Sequence, residues 1–327
     1  MESRRVAYNF PVKPVTDGSL FYLTDASNQM IRVFSNSGDI SKIIADGARP
    51  VPENIKHIKV NVGIPGWVAV DDNGNVYIQK RSPDSDEKNK NPVTENEIPE
   101  HPENAGPARL STREFVPSTI VILDDSDILL GEMGEDGLNT EKFQTIYRMD
   151  AGDDNTLFVN HLYKGEKTLS IYKNGNLSHR IKSFNPADEK ELNKYYTDIE
   201  DIVPHPEKKF AIASVIFRNK KNFDFQYRKV YHIDYETGNY EEIAWLDEPD
   251  DHFGWIREDG GFYLLHADED GSRIKFRIYS NTGEHINNLQ ITLTGLRASW
   301  RETYLTLDGK FYSSRIYKNR FEFYEWQ

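Results

Sequence analysis

The chain contains no cysteine, which excludes disulfide staples, thiolate metal sites and a cysteine nucleophile. It has no apolar run near the roughly 18 residues that a membrane-spanning helix needs. It also lacks a cationic surplus: 40 Lys and Arg stand against 53 Asp and Glu, a net charge of -13. With no phosphate-neutralising excess, general nucleic-acid binding is excluded as a partner class. One local basic cluster, Arg218, Lys220, Lys221, Arg228 and Lys229, reads as a hairpin loop with alternating solvent-facing positions. The opening Met1-Glu2-Ser3-Arg4-Arg5 has no apolar h-region, so no signal peptide stands there. A removed export signal or a lipid anchor upstream of residue 1 is equally consistent with that start. Catalytic signatures are missing too: there is no Gly-x-Ser-x-Gly, no phosphate-binding glycine loop and no His-Glu-x-x-His.

What the chain does have is aromatic residues and turns. Its 18 Tyr and 17 Phe sit in short segments broken by Gly, Asn and Asp, the composition of half-buried strands and tight turns. At 327 residues the chain is long for one ordinary core, but a repeat architecture escapes that limit because each unit packs only on its neighbours.

A repeat is present. Its clearest copy runs Phe253-Gly254-Trp255-Ile256, the turn Glu258-Asp259-Gly260-Gly261, the strand Phe262 to His266, and a turn at Asp268-Glu269-Asp270-Gly271. A strand Arg273 to Ser280, the turn Asn281-Thr282-Gly283 and a strand Glu284 to Ile291 complete it. Four strands and three turns emerge, each turn carrying residues that tolerate positive φ. Comparable turns at Gly18, Gly74, Asp153, Glu207, Gly260 and Gly309 are evenly spaced except for one long gap. Units of about 40–50 residues are propeller-sized, and these positions predict six of them. The last unit is one strand short, and Arg4 to Tyr8 is expected to supply the missing strand and close the ring.

The first unit carries a family likeness. Leu20 to Asp25, the turn residue Asn28, the strand Arg32-Val33-Phe34 and Gly38 form an aromatic-bearing strand ending in Asp, an Asn turn, an Arg-x-Val-Phe strand and a Gly. Pro65 to Asp71 with Gly74-Asn75-Val76-Tyr77 repeats the opening half. These residues resemble the NHL repeat. The resemblance is sharp over residues 18–80 and architectural beyond, where Lys275-Phe276-Arg277-Ile278-Tyr279 is a loose counterpart. It implies an all-β, six-bladed β-propeller of four-stranded antiparallel blades, one domain over residues 1–327.

The long gap holds a Pro-, Asn- and Glu-rich insertion over residues 82–116, too poor in apolar residues to bury much surface. It reads as a surface loop joining the second and third strands of the second blade, on the face that also carries the inter-blade connections. Those connections are acidic: Glu132, Glu135 and Asp136; Asp188, Glu189 and Glu191; Asp247, Glu248, Asp250 and Asp251. The plainer reading is solvated loop charge. The sharper one is a docking face for a basic partner, or attraction of a divalent cation, with calcium the ion expected if any is bound.

Polar residues near the start of each innermost strand would face a central channel: Asp198, Glu200, Asp201, His252, Arg297 and Arg301. Trp67, Trp255 and Trp300 occupy comparable positions, where packing between blades is the plain role and an aromatic ligand mouth the sharper one. Binding candidates are therefore Trp67, Glu200, His252, Trp255, Arg297 and Trp300. Carboxylates with a histidine can hold a hard cation and act as acid or base, which makes a metal-dependent hydrolase or lyase of the lactonase-like type the alternative function. His57, His101, His161 and His285 lack ligand spacing and read as surface or turn residues. The leading expectation is a non-enzymatic binding scaffold without cofactor, engaging a protein or envelope component. Its layout resembles lipoprotein or periplasmic propellers, so the expected setting is extracytoplasmic, periplasmic or envelope-anchored, with the cytoplasm as the alternative.

Overall fold

The turn rhythm reappears as antiparallel ladders in the computed structural model, which describes residues 15–16, 19–81, 117–181, 186–249, 251–267, 273–292, 300–305, 309–316 and 321–326. The described residues form two compact units. One comprises Val15–Glu166 and Tyr172–Leu177; the other comprises Lys167–Ile171 and the chain from Ser178 onward.

The first sheet has β1 (Val15–Thr16), β2 (Leu20–Asp25), β3 (Met30–Ser35), β4 (Ile40–Ala45) and β5 (Lys56–Lys59) in chain order. Sequence reading missed β5, which lies parallel to β4. The second sheet holds nine strands. One run is β6 (Ile64–Val70), β7 (Val76–Arg81), β8 (Ser118–Leu123) and β9 (Leu129–Gly134). A two-residue strand, β10 (Gly137–Leu138), pairs with β9 on one side. On the other side β10 pairs with the last strand of β11 (Ile146–Gly152), β12 (Thr156–Tyr163), β13 (Glu166–Lys173) and β14 (Asn176–Ile181). Two expected four-stranded units are thus stitched into one sheet.

The single described helix, α1 (Glu189–Lys194), opens on a capping box. Asp188 accepts from the Glu191 N–H and the Glu191 carboxylate accepts from the Asp188 N–H, which satisfies two otherwise orphaned donors. Then follow β15 (Tyr195–Pro204), β16 (Phe210–Asn219), β17 (Phe225–Asp234) and β18 (Tyr240–Leu246). The next sheet is β19 (Asp251–Ile256), β20 (Phe262–Ala267), β21 (Arg273–Tyr279) and β22 (His285–Thr292). The last is β23 (Trp300–Leu305), β24 (Phe311–Ile316) and β25 (Phe321–Trp326). The proposed closing strand, Arg4 to Tyr8, lies outside the described residues, as do the insertion and the turn Asp268 to Gly271. The described strands on either side of the insertion, β7 and β8, pair antiparallel from Arg81 with Ser118 to Val76 with Leu123.

Period-two alternation explains the packing. In the first unit Val68, Ile78 and Val121 join a cluster with Tyr22, Ile31, Val33 and Ile44. Their neighbours Ala69, Tyr77 and Ile120 join Met149, Leu157 and Val159 on the opposite face. In the second unit Phe262 and Leu264 pack with Val203, Ile212 and Val230, while Tyr263 packs with Phe276, Leu305 and Phe311. Second strands are covered on both faces, so β16 is apolar almost without interruption, as two-sided burial demands. Outer strands lose that cover, and β22 is exposed along nearly its whole length.

One irregularity recurs. The first strand of each four-stranded run, and of the last sheet, slips register against its neighbour: between Pro65 and Val68, Ile146 and Arg148, Ile199 and Asp201, Phe253 and Trp255, and Trp300 and Glu302. The extra residues are Gly66 and Trp67, Tyr147, Glu200, Gly254 and Arg301. A β-bulge frees a residue from the ladder and re-aims its side chain.

Candidate functional site

The described candidate site is built on one of these bulges. Glu200 sits in mid-strand, not at the start of the strand as sequence register suggested, and the bulge turns its carboxylate toward three other strands. Oε2 accepts from Ser214 Oγ on β16 at 2.7 Å and from Arg228 Nε on β17 at 2.9 Å. Oε1 accepts from Arg228 Nη2 at 3.3 Å and from the Phe253 backbone N–H on β19 at 3.1 Å. His252 Nδ1 stands 3.8 Å from Oε1, an ion-pair distance and longer than a hydrogen bond.

Arg228 is fully buried. Besides Glu200, its guanidinium donates to the Asp251 carbonyl at 2.5 Å and the Glu248 carbonyl at 3.4 Å. Asp251 is also buried, and the network continues through it. Arg277 Nε lies 2.9 Å from its Oδ2 and His266 Nδ1 lies 3.2 Å from Oδ1. Neither contact is aligned as a hydrogen bond, so the Asp251 carboxylate rests on its ion pair with Arg277. Arg277 also pairs with the Glu248 carboxylate.

This overturns two expectations. Arg228 and Lys229 are not solvent-facing members of a basic loop. Arg228 is the buried hub of the network, and Lys229 bridges Glu191 at 2.7 Å and Glu242 at 3.0 Å. Nor are the acidic connections uniformly solvated charge, although Glu189 and Asp247 are exposed. Glu191, Glu248 and Asp251 are paired as above, and Glu132 takes Lys80 at 2.6 Å and Thr119 Oγ1 at 2.9 Å. Asp250 lies outside the described residues. The turn Asp124-Asp125-Ser126-Asp127 is a hairpin turn as expected, yet Asp127 also anchors Lys42 at 2.5 Å and Lys56 at 2.8 Å. Burial opposes ionisation of Asp127, but the two lysines outweigh it and hold the carboxyl below its usual range.

The other predicted site residues are scattered. Trp67 packs in the first unit against the cluster containing Tyr77 and Ile120. Trp255 meets Phe276 edge to face, with ring centroids 5.9 Å apart. Trp300 belongs to β23, and Arg297 lies outside the described residues. Asp198 stands 3.9 Å from Lys167, and Asp201 accepts from its neighbour's N–H at 2.9 Å. Among the described candidates, Glu200 and His252 come together.

Among the histidines, His161 is fully buried, contrary to the surface expectation. Its ring meets Phe143 edge to face at 5.0 Å. His57 belongs to β5, with Nε2 3.3 Å from the Ala45 carbonyl. His285 is exposed on β22, and His101 lies outside the described residues. His205, which drew no notice in the sequence, is buried. Its Nδ1 accepts the N–H groups of Glu207 and Lys208 at 3.2 and 3.1 Å, and its Nε2 lies 3.2 Å from the Glu258 carbonyl. Burial lowers its affinity for a proton, and this arrangement suits the neutral ring.

The electrostatics of the Glu200 corner carry a sign that can be tested. Burial opposes ionisation of Glu200, but His252, the Arg228 charge, the Ser214 hydroxyl and the Phe253 N–H together hold its carboxyl below the usual range. Glu200 in turn raises His252 above the usual imidazole value, against its partial burial. The Glu200 contribution to stability is complete above about pH 4.5 and is lost as pH falls through its lowered folded value. The His252 contribution is complete below about pH 6.5 and fades as pH rises through its raised folded value. Stability from this corner therefore peaks between the two. The His252 part is small, since its side chain is 71% exposed and solvent screens it. Denaturant midpoints measured from pH 3 to pH 9 should show the acid-side fall in the parent. In His252→Asn the shallow loss above about pH 6.5 should disappear and the acid-side fall should shrink, because His252 helps hold the Glu200 carboxyl down.

Among the described residues no three His, Asp or Glu side chains group as a metal-holding set, and no helix is long and apolar enough to cross a membrane.

No protein-family model and no curated protein matches the sequence. Solved structures do. The Dos1 propeller is similar over 91% of this chain and 63% of its own, at 10% identity and a TM-score of 0.44. TolB from Acinetobacter baumannii is similar over 94% of this chain and 60% of its own, at 13% identity and a TM-score of 0.49. This chain thus spans less than two thirds of either. The β-propeller domain of the Trilobed protease from Pyrococcus furiosus, which has an open velcro topology, is similar over 96% of this chain and 79% of its own. Its identity is 13% and its TM-score 0.50. At such identity the likeness speaks for architecture alone, and together with the successive antiparallel sheets it makes this chain a β-propeller.

Proposed function

We propose that the chain is a single six-bladed propeller over residues 1–327, of NHL type, acting outside the cytoplasm as a non-enzymatic binding scaffold. Its partner is a protein or another macromolecule, met through the face that carries the 82–116 insertion. The observation that supports this reading is the use made of the polar residues. Glu200, the best-placed candidate acid, accepts from Ser214, Arg228 and Phe253. Its charge holds strands of two sheets together and is not held in reserve for a substrate. A long polar loop set on a rigid scaffold is the usual place for recognition.

The test compares the full chain with a form lacking residues 82–116, each immobilised and exposed to extract from the native organism. A partner retained by the full chain is then purified and titrated. Saturable binding that weakens at least about tenfold without the loop supports the proposal. Equal binding by both forms overturns the role of the face. Calcium-dependent turnover of a lactone, abolished in Glu200→Gln, overturns the scaffold reading in favour of a hydrolase.

A further inference from the structure

A second feature of the first unit is independent of that reading. Between the face of β3 and β4 and the segment that leads from β4 to β5 lies an open cavity of about 370 Å³. Met30 and Ile43, both buried, form its floor, and Ile55 forms a wall. Arg32, Arg49 and Asn28 line it as well, and no carboxylate does.

The two arginines are not equivalent. Arg32 donates through Nη2 to Asp25 at 2.6 Å, and Asp25 is fixed by the Asn28 N–H at 3.1 Å and side-chain amide at 2.8 Å. That pair is neutral overall. Arg49 instead donates to the uncharged Gln29 side chain. The cavity therefore presents an apolar body and one uncompensated guanidinium, a fork whose geometry suits a carboxylate.

We infer that this cavity binds a small amphiphilic monocarboxylate, its head on Arg49 and its hydrocarbon against Met30, Ile43 and Ile55. The cavity is open to solvent, so an alkyl chain can lie along its apolar lining without having to be wholly enclosed. Burying an alkyl chain there removes apolar surface of both partners from water. A dicarboxylate would bring a second charge that no lining cation answers.

Octanoate is the probe. Titrated into the full chain and followed by isoleucine and methionine methyl NMR, it should saturate at one equivalent and shift Met30, Ile43 and Ile55 together. Octan-1-ol and octylammonium should bind about tenfold weaker or less, as should octanoate with Arg49→Met, because a hydrogen-bonded charge is then missing. Arg49→Lys keeps the charge without the fork and should fall between. Ile55→Trp, which fills the cavity from its loop wall, should abolish the methyl shifts while leaving thermal unfolding in place. Unsaturable shifts, equal affinity for octan-1-ol, or full binding by Arg49→Met each overturn the assignment.

Discussion

Arg228→Ala should cost about 3–5 kcal/mol of folding stability, the usual loss when one partner of a buried ion pair is removed. The guanidinium is fully buried and meets the Glu200 carboxylate twice and two backbone carbonyls besides. Without it, Glu200 keeps the Ser214 hydroxyl, the Phe253 N–H and the exposed His252 at 3.8 Å but loses its buried charge partner, and the Asp251 and Glu248 carbonyls lose a donor. The unpaired carboxylate, not the missing arginine, carries most of the expected loss. Adding Glu200→Gln should therefore recover part of it, a non-additivity that a double-mutant cycle measures directly. Denaturant midpoints followed by circular dichroism decide the matter. A loss within about 0.5 kcal/mol, the rule for exposed positions, would place Arg228 in solvent and refute the network.

Phe276→Ala should be of similar size, about 3–5 kcal/mol, the range for a wholly buried aromatic. Its ring is fully buried and meets Trp255, Tyr263 and Phe311 at centroid distances of 5.9, 6.3 and 5.2 Å. Phe311 belongs to the last sheet, so the truncation opens a cavity between β21 and β24 as well as within one sheet. Leu289→Ala on the exposed β22 is the matched control and should change stability by no more than about 0.5 kcal/mol. Near-equal losses for the two variants would mean that Phe276 is not a core residue.

The architecture was legible because its cause is local. Turn residues such as Asn155, Asn174, Gly260 and Gly283 do take positive φ, and the strands of the clearest repeat copy, β19 to β22, fall within two residues of expectation. What was not legible depends on which side of a strand a residue faces. Arg228 and Lys229 are adjacent in sequence, yet one is the hub of a buried network and the other a bridge beside α1. A single-residue slip such as the one at Glu200 exchanges the faces of everything beyond it, and nothing in the letters of β15 announces it. Short pairings such as β10 escaped for a different reason: two residues, Gly137 and Leu138, carry no periodicity to detect. Charge pairing across sheets, as in Asp127 with Lys42 and Lys56, joins residues far apart in the chain, and composition alone predicts only that such charges are solvated.

The recurring slip on the first strands has a practical meaning for anyone who would redesign this protein. A bulge re-aims one residue and is a designed feature of its strand, not a defect. At Glu200 that re-aiming lets one carboxylate brace strands of two sheets. A redesign that removed the extra residue from β15 would therefore straighten the ladder and lose the brace in one step.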